Sequence, residues 1–262
     1  MSHQSPPRHD AEPLLQTSAL SLPPSTEFTY SFAFQPIVDV MTSSVFSYEA
    51  LVRGSERQSA GWVFDRIDRA DLYRYDGEFR RRAVQLAAKL DMQATLSLNS
   101  LPGALPHADV GIASTLFAAE QAGFPIHRLI FEVTETELLA DPAQFALMMQ
   151  PHREAGVKFA IDDFGAGYSG LNLLAEFQPD FVKLDMLLCR GIDRHAPRQA
   201  IVRGIARVCS DLGISVIAEG IETIDEYQWL AGQGVTLLQG FLFAAGGFEA
   251  MPPVRMPDRA FP

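Results

Sequence analysis

Eight short, β-rich runs recur along the chain, and patterns typical of helices separate most of them. The runs are FAFQPIVDV, VFSYEALVR, TLSLNSL, RLIFEVTE, KFAIDDF, FVKLDM, SVIAEGI and LLQGFLF. Strands that alternate with helices in this way are typical of a parallel sheet covered by helices. Eight strands with six helical segments between them predict an α/β protein, built as a (β/α)8 TIM-like barrel.

The first two runs break this alternation. Only residues 41–44, MTSS, separate them, whereas a crossover between parallel strands needs about a dozen residues or more. We therefore expect an antiparallel hairpin, and a barrel whose first strand runs against the others. In that arrangement Gln35, early in the first strand, lies at the rim where the other strands end.

Length and composition favour one domain. The chain has 262 residues, and no linker-like stretch interrupts it after about residue 30. Residues 1–30, rich in Pro and Ser, predict a disordered leader, residues 31–255 the domain, and residues 256–262 a short tail.

Bulk properties also narrow the class of function. Every apolar run is shorter than the roughly 20 residues that a membrane helix needs, so we expect a soluble protein. The two cysteines lack metal-ligand spacing, which favours the cytoplasm. The net charge of −11 argues against general affinity for nucleic-acid polymers or membrane surfaces.

Two helical patterns are clear enough to predict which side chains face the core. In FRRRAVQLAAKL they are Phe79, Ala83, Leu86, Ala87 and Leu90. In QAIVRGIARVCSDLG they are Ile201, Ile205, Val208, Cys209 and Leu212. Gly213 predicts the end of the second helix, and Arg80, Arg81 and Arg82 are expected on a solvated face of the first.

Polar side chains stand at the carboxyl ends of the predicted strands, where barrel active sites lie. They are Glu49, Asn99, Glu132, Asp162 with Asp163, Lys183, Glu219 and Gln239. One acid at such a place is more often a helix cap or a solvated rim residue. Five converging carboxylates repel one another by about 4 kcal/mol per pair at ~4 Å. The group must therefore bind cations or take up protons.

The residue types favour particular cations. Carboxylates with an amide suit Mg²⁺ or Mn²⁺, whereas zinc sites usually contain His or Cys. At the end of its strand the Asp162–Asp163 pair is placed to share or bridge two cations. Lys183, inside an apolar strand, needs an anionic partner: either Asp185 or Glu219 in a structural salt bridge, or a bound anion. The glycines of DFGAGYSG indicate a simple turn or a mobile loop beside the site.

Several separated motifs resemble the EAL-type cyclic di-GMP phosphodiesterases. Glu49, Ala50 and Leu51 spell the signature itself. In family order come QPIVD (35–39), EALVR (49–53), LN (98–99), FEVTE (131–135), DDFGAGYSGL (162–171), KLD (183–185), AEGIET (218–223) and QGFLF (239–243). The resemblance covers about residues 31–252. NLLAEFQPDFVKLDM resembles the branch of the family that is often fused to blue-light-sensing BLUF domains.

The resemblance implies hydrolysis of cyclic di-GMP to linear pGpG by water activated at a site for two Mg²⁺ or Mn²⁺ ions. The implied metal ligands are Glu49, Asn99, Glu132, Asp162 and Asp163. The implied catalytic residues are Glu49, Lys183 and Glu219, and the implied substrate contacts are Gln35, Leu51, Arg53 and Gln239. Glu135, Asp185 and Glu222 match a loop anchor or positions beside the site. A homodimer is also implied.

Two alternatives remain at this point. The chain is either an enzyme or an EAL module that senses cyclic di-GMP or grips a protein partner with little or no catalysis, although it retains every acid of the family pattern. Barrel geometry alone also permits a glycosidase with two carboxylates, which gives Lys183 and Asn99 no role. The chain departs from the family pattern at residues 54–64 and 244–253, which bear on substrate affinity and the dimer surface.

Overall fold

The computed structural model describes residues 28–134, 141–166 and 170–257. The strands in these ranges are β1 (Tyr30–Asp39), β2 (Ser44–Gly54), β3 (Thr95–Asn99), β4 (Leu129–Thr134), β5 (Lys158–Phe164), β6 (Phe181–Leu184), β7 (Ser215–Ala218), β8 (Leu237–Gln239) and β9 (Gly247–Phe248). The helices are α1 (Ala60–Phe64), α2 (Leu72–Lys89), α3 (Ile112–Ala122), α4 (Pro142–Glu154), α5 (Gly170–Glu176), α6 (Met186–Cys189), α7 (Ala196–Leu212) and α8 (Ile224–Gly232).

The sheet closes on itself as an eight-stranded barrel. Strands β2 to β8 are parallel neighbours in chain order, and β1 completes the circle by pairing antiparallel with both β2 and β8. The hairpin between β1 and β2 is tight, and the Asp39 carboxylate accepts a hydrogen bond from the Met41 N–H at 2.9 Å. The predicted TIM-like barrel with an antiparallel first strand is confirmed. The short strand β9 also pairs with β1 and was not predicted.

Apolar side chains fill the lower half of the barrel. They are Ile37, Ile130, Ala160, Phe181, Ile217 and Leu237. Ser47 and Ser97 are also fully buried there and lie within hydrogen-bond distance of each other, at 3.2 Å. Because side chains two residues apart on a strand point to the same face, the next inward-facing residue on each strand lies closer to the mouth.

Helix α2 packs the predicted residues against the barrel, with one correction. Phe79, Ala83 and Ala87 are buried as expected. Arg80 was expected on a solvated face with Arg81 and Arg82, and this expectation is wrong because Arg80 is only 1% exposed. It shares the buried side of the helix with Val84 and Ala87, four and seven residues further on.

Helix α7 faces the barrel with a narrower stripe than predicted. Ile205 and Cys209 are buried, together with Val202. Ile201, Val208 and Leu212 lie to one side of this stripe and are exposed, so their assignment to the core is wrong. Gly213 ends the helix as predicted, with a left-handed φ of +73° that glycine adopts without strain.

Both ends of the described chain pack against the barrel. The Phe28 ring stacks on Tyr75 with centroids 6.0 Å apart, and Tyr30 is buried beside it. Met256 packs against the same core. The packed part therefore includes residues placed in the predicted leader and tail. None of the helices in the three described ranges is long and apolar enough to cross a bilayer.

Candidate active site

The polar residues predicted from the strand ends line the mouth of the barrel. Apart from Asp163, each follows an inward-facing residue of its strand by two positions, as Glu132 follows Ile130 and Lys183 follows Phe181. Pairing between strands brings two of them together, because Asn99 lies opposite Glu132 in the β3–β4 register. On the antiparallel side, Gln35 lies opposite Glu49, which confirms its predicted place at the rim.

Lys183 lies at the middle of this arrangement and is 1% exposed. Its Nζ lies 2.7 Å from Glu219 Oε1, 2.8 Å from Glu132 Oε2, 3.0 Å from Asp162 Oδ1 and 3.5 Å from Glu49 Oε2. Glu219 was one of the two intramolecular partners expected from the sequence. We call Glu49, Glu132, Asp162, Asp163 and Glu219, with Lys183 among them, the acidic centre.

Two amides hold the Glu49 carboxylate in place. Asn99 Nδ2 donates to Glu49 Oε1 at 2.9 Å, and Gln239 Nε2 donates to Glu49 Oε2 at 2.8 Å. Burial opposes the ionisation of Glu49, but the Lys183 ammonium and these hydrogen bonds outweigh it and lower the pKa of Glu49. Glu49 is therefore a fixed carboxylate.

The other buried acids are pushed the opposite way. Burial raises the pKa of Glu132 well above its ordinary value, although Lys183 opposes the shift. Burial likewise raises the pKa of Glu219 to about 8. The pKa of Lys183 is itself raised by the surrounding carboxylates, against the effect of its burial. Without cations, the acidic centre thus relieves its excess negative charge by binding protons.

The end of β5 lets two adjacent aspartates reach the same site. Its pairing with β6 is irregular between Ile161 and Phe164, and Asp163 has a left-handed φ of +54°. Consequently Asp162, Asp163 and Glu219 each offer an oxygen within 4.8 Å of the other two. Burial, together with Asp162 beside it, raises the pKa of Asp163. Such closeness of acids is expected where cations bind between them.

The acidic centre fits a pair of divalent cations. A second group, Glu49, Glu132 and Asp162, also places one oxygen from each residue within 4.8 Å of the others, so Asp162 belongs to both groups. Glu132 Oε1 is buried and has no hydrogen-bond partner among the described residues. Such an oxygen is costly unless something binds it. The donors are hard oxygens, the type that Mg²⁺ and Mn²⁺ prefer.

Two cavities adjoin the acidic centre, and Glu49 lines both of them. The first, of about 340 Å³, is largely apolar and includes Leu51, Arg53 and Asn99. The second, of about 380 Å³, includes Gln35, Asp163 and Gln239. Residues 60–64, in a segment that departs from the family pattern, supply Ala60 and Phe64 to the wall of the first cavity. All the substrate contacts implied by the resemblance thus border one of the two cavities.

Of the three residues expected beside the site, Asp185 and Glu222 are described by the structure. Asp185 lines the second cavity, where its carboxylate accepts from the Leu187 N–H at 2.7 Å and caps α6. Glu222 forms a two-contact ion pair with Arg190, with both N···O distances at 2.7 Å. Glu135 lies outside the described residues, as do residues 167–169 of the glycine-rich segment.

Sequence reasoning missed several residues that border the cavities. Arg190 and the 69% exposed Phe241 line the second cavity. Asp76 and Arg80 line the first. For Asp76 and Arg80 a signal was present, since an acid and an arginine four residues apart shared a helix face with buried alanine and valine. For Arg190 and Phe241 the sequence alone contains no comparable signal.

The family model and the curated relatives that match this chain point to the same family. The model of the EAL domain family matches residues 25–245. Among curated proteins, the blue light- and temperature-regulated antirepressor BluF of Escherichia coli is 31% identical over 229 residues, which is 87% of this chain and 57% of BluF. The cyclic di-GMP phosphodiesterase PdeR of the same organism is 36% identical over 53% of this chain and 21% of PdeR. The chain thus spans from about a fifth to a little over half of these two relatives.

Solved structures of EAL proteins are also similar to this chain. A standalone versatile EAL protein from Vibrio cholerae, in its c-di-GMP-bound form, is 44% identical and has a TM-score of 0.82. The match covers 88% of this chain and 98% of the Vibrio cholerae chain. The Klebsiella pneumoniae BlrP1 complex with manganese and cyclic di-GMP is 41% identical with a TM-score of 0.80, over 87% of this chain and 58% of BlrP1.

Proposed function

This chain belongs to the EAL domain family, and from that membership we propose that it is a phosphodiesterase that hydrolyses cyclic di-GMP to linear pGpG. The observation that carries the proposal is the acidic centre. A module that only binds a ligand does not need five neighbouring acids beside one buried lysine, because the acids repel one another when no cations are bound. A hydrolase uses the same arrangement to bind cations and to act on a phosphate.

Two divalent cations, Mg²⁺ or Mn²⁺, would be held by Glu49, Glu132 and Asp162 on one side and by Asp162, Asp163 and Glu219 on the other, with Asn99 beside the first group. When bound, such ions lower the pKa of a water molecule and neutralise charge on the phosphate and on the leaving oxygen. Support comes from the two overlapping groups of oxygens and from BlrP1, which has been crystallised with manganese and cyclic di-GMP.

Two residues of this chain supply a proton acceptor for the attacking water and a positive charge for the phosphate. The Glu219 carboxylate lines the second cavity and is placed to accept the proton of the attacking water. The Lys183 ammonium, buried and fixed by four carboxylates, stabilises negative charge that develops on the phosphate oxygens. The leaving 3′ oxygen takes up a proton and becomes the hydroxyl end of pGpG.

The two cavities have comparable volumes, about 340 and 380 Å³, and Glu49 lines both. A dinucleotide that occupies both would therefore have one phosphodiester near the acidic centre. Arg53, on the wall of the first cavity, is available to contact a phosphate oxygen. Leu51 and Phe64 offer apolar surface to a base in the same cavity.

The homodimer and the cytoplasmic location stay predictions. Leu171 on α5 and Leu187 on α6 are 62% and 61% exposed, and they offer apolar surface for contact with a second copy.

Product chromatography separates the enzyme from its alternatives. The native chain is incubated with cyclic di-GMP and Mn²⁺, with and without EDTA, beside Glu49→Ala and the exposed control Glu120→Ala. We expect pGpG from the native chain and the control, and none with EDTA or from Glu49→Ala. Calorimetry with Ca²⁺ that shows tight dinucleotide binding, combined with no pGpG in Mn²⁺, would instead identify a receptor. Turnover that persists in EDTA would contradict the metal centre.

A further inference from the structure

A buried ion pair lies next to the acidic centre but is not part of it. Asp76 and Arg80, one helical turn apart on α2, are 9% and 1% exposed, and they form a short charge-assisted hydrogen bond. Both line the first cavity, which Asn99 and Glu132 also line. Replacing a buried pair of this kind by apolar residues is often neutral or stabilising, so stability alone does not explain it.

The pair connects α2 to the segment that follows β3, residues 100–111. Asp76 Oδ1 accepts a hydrogen bond from the Leu101 N–H at 3.1 Å. At the far end of the segment, Arg80 Nη2 donates to the Val110 carbonyl at 2.5 Å and Nε donates to Thr115 Oγ1 at 3.3 Å. The two side chains therefore hold both ends of one segment against the same helix.

The segment begins directly after Asn99, the last residue of β3. Leu101 stands two residues after Asn99, and the intervening Ser100 N–H donates to the Glu132 carbonyl at 2.9 Å. The backbone that leaves β3 is thus fixed on one side by β4 and on the other by Asp76. Asn99 in turn donates to Glu49, which borders both cavities.

Close packing leaves this segment little other freedom. A Cβ at Gly77 would come within 2.5 Å of the Val110 carbonyl oxygen, so α2 and the segment touch backbone to backbone. The Arg80 guanidinium has its three nitrogens engaged, with Asp76, Val110 and Thr115. With these donors occupied, Arg80 is better placed to hold protein groups than to bind a ligand.

We propose that Asp76 and Arg80 are positioning residues that fix the backbone after β3, so that Asn99 and the wall of the first cavity keep the geometry the metal centre needs. The inference rests on the proposed function for its purpose. Asp76 acts through the Leu101 N–H, and Arg80 holds the Asp76 carboxylate and the far end of the segment.

Two double variants isolate this role. Asp76→Leu with Arg80→Met removes both charges and the acceptor for Leu101, whereas Asp76→Asn with Arg80→Met removes the charges but keeps an amide oxygen for that N–H. Glu78→Gln with Arg82→Met is the matched control, because Glu78 and Arg82 form an ion pair of the same spacing on the same helix with Arg82 exposed. Thermal unfolding verifies that each variant folds.

The first readout is titration with Mn²⁺ alone, and the second is hydrogen exchange of residues 100–111. We expect the Leu variant to bind Mn²⁺ about tenfold more weakly, as is usual when the support of a metal ligand is removed. Its Leu101 amide should exchange faster, and its KM should change more than its kcat. The Asn variant loses the Arg80 contacts but keeps an acceptor for the Leu101 N–H, so it should lose less Mn²⁺ affinity than the Leu variant. The control should keep the native Mn²⁺ affinity.

Equal losses in the Leu and Asn variants, or a Leu variant with native Mn²⁺ affinity and native exchange, would overturn the inference. A native chain that binds Mn²⁺ but releases no pGpG would contradict the proposed function and leave this inference standing. A native chain that binds no Mn²⁺ would overturn both.

Discussion

Replacing Lys183 by Met tests how the acidic centre is held together. Each Nζ–oxygen contact of 2.7–3.5 Å contributes about 5–6 kcal/mol of Coulomb attraction at an effective dielectric near 20. Met fills similar space without charge, so the loss is electrostatic. The remaining carboxylates then repel one another with no cation between them.

When a chelator removes the cations, proton uptake is the least costly way to reduce the repulsion between the carboxylates. The free-energy cost of that protonation therefore sets the size of the effect. Keeping one further carboxyl of ordinary pKa 4.5 protonated at pH 7.5 costs about 4 kcal/mol, and at pH 5 less than about 1 kcal/mol. We therefore expect Lys183→Met to lower the free energy of unfolding by about 4 kcal/mol at pH 7.5 and by much less at pH 5. This agrees with the ~3–5 kcal/mol lost when one partner of a buried ion pair is removed.

Urea unfolding in EDTA at the two pH values measures this difference, with the exposed Lys89→Met as control. Saturating Mn²⁺ should restore part of the lost stability, because cations then occupy the space between the acids. An equal loss at both pH values would show that packing, not charge, is what Lys183 contributes. No loss at pH 7.5 would refute the reasoning altogether.

Four further predictions concern the pH dependence of the acidic centre and three positions outside it. Since burial raises the pKa of Glu219 to about 8, the native state keeps a proton that the unfolded chain loses above about pH 4.5. The metal-free protein should therefore lose stability as pH rises from about 5 to 8, and calorimetry should show Mn²⁺ affinity rising up to about tenfold per pH unit between pH 6 and 8. Gly240→Ala should destabilise by about 1–3 kcal/mol or more, because its Cβ would overlap the Ile221 backbone. Gly204→Ala in α7, where a Cβ meets nothing within 4 Å, should stabilise by about 0.5–1 kcal/mol in the same urea titrations. Thr223→Ala removes the capping box of α8 and should cost about 1 kcal/mol, measured as a lower urea midpoint.

The barrel and its mouth were predictable because two simple rules act together on this sequence. Strand side chains alternate, so a polar residue two positions after an inward apolar one, such as Lys183 after Phe181, also faces inward. Parallel strands end at the same rim, so such residues meet. The hairpin was predictable from the four residues between the first two runs, since no crossover fits there.

Packing between elements was less predictable. Arg80 was expected in solvent because an arginine is usually exposed, and its burial depends on Val110 and Thr115, which lie 30 and 35 residues away. On α7, Ile201 and Val208 share helical spacing with Ile205, but the barrel touches a stripe centred on Val202, Ile205 and Cys209. Helical spacing predicts the buried face of a helix to within about one residue. Which residues at the edges of that face are buried depends on the neighbouring element.

The directions in which the pKa values of the site's carboxyl groups shift could not be predicted from the sequence either. Glu49 and Glu132 stand at comparable strand ends, yet the pKa of Glu49 is lowered and that of Glu132 is raised. Burial opposes ionisation of both groups, but Lys183 and the hydrogen bonds from Asn99 and Gln239 outweigh it at Glu49, whereas the charges of Glu49 and Asp162 add to the effect of burial at Glu132. Hydrogen-bond partners that come from three different strands cannot be assigned from spacing.

The most direct test of the account is hydrolysis of cyclic di-GMP in ¹⁸O-labelled water, followed by mass spectrometry of the product. With Mn²⁺, we predict pGpG that carries one ¹⁸O in its terminal phosphate, and with EDTA, unchanged cyclic di-GMP. Cyclic di-GMP that stays bound and intact in saturating Mn²⁺ would contradict the claim that the acidic centre is hydrolytic.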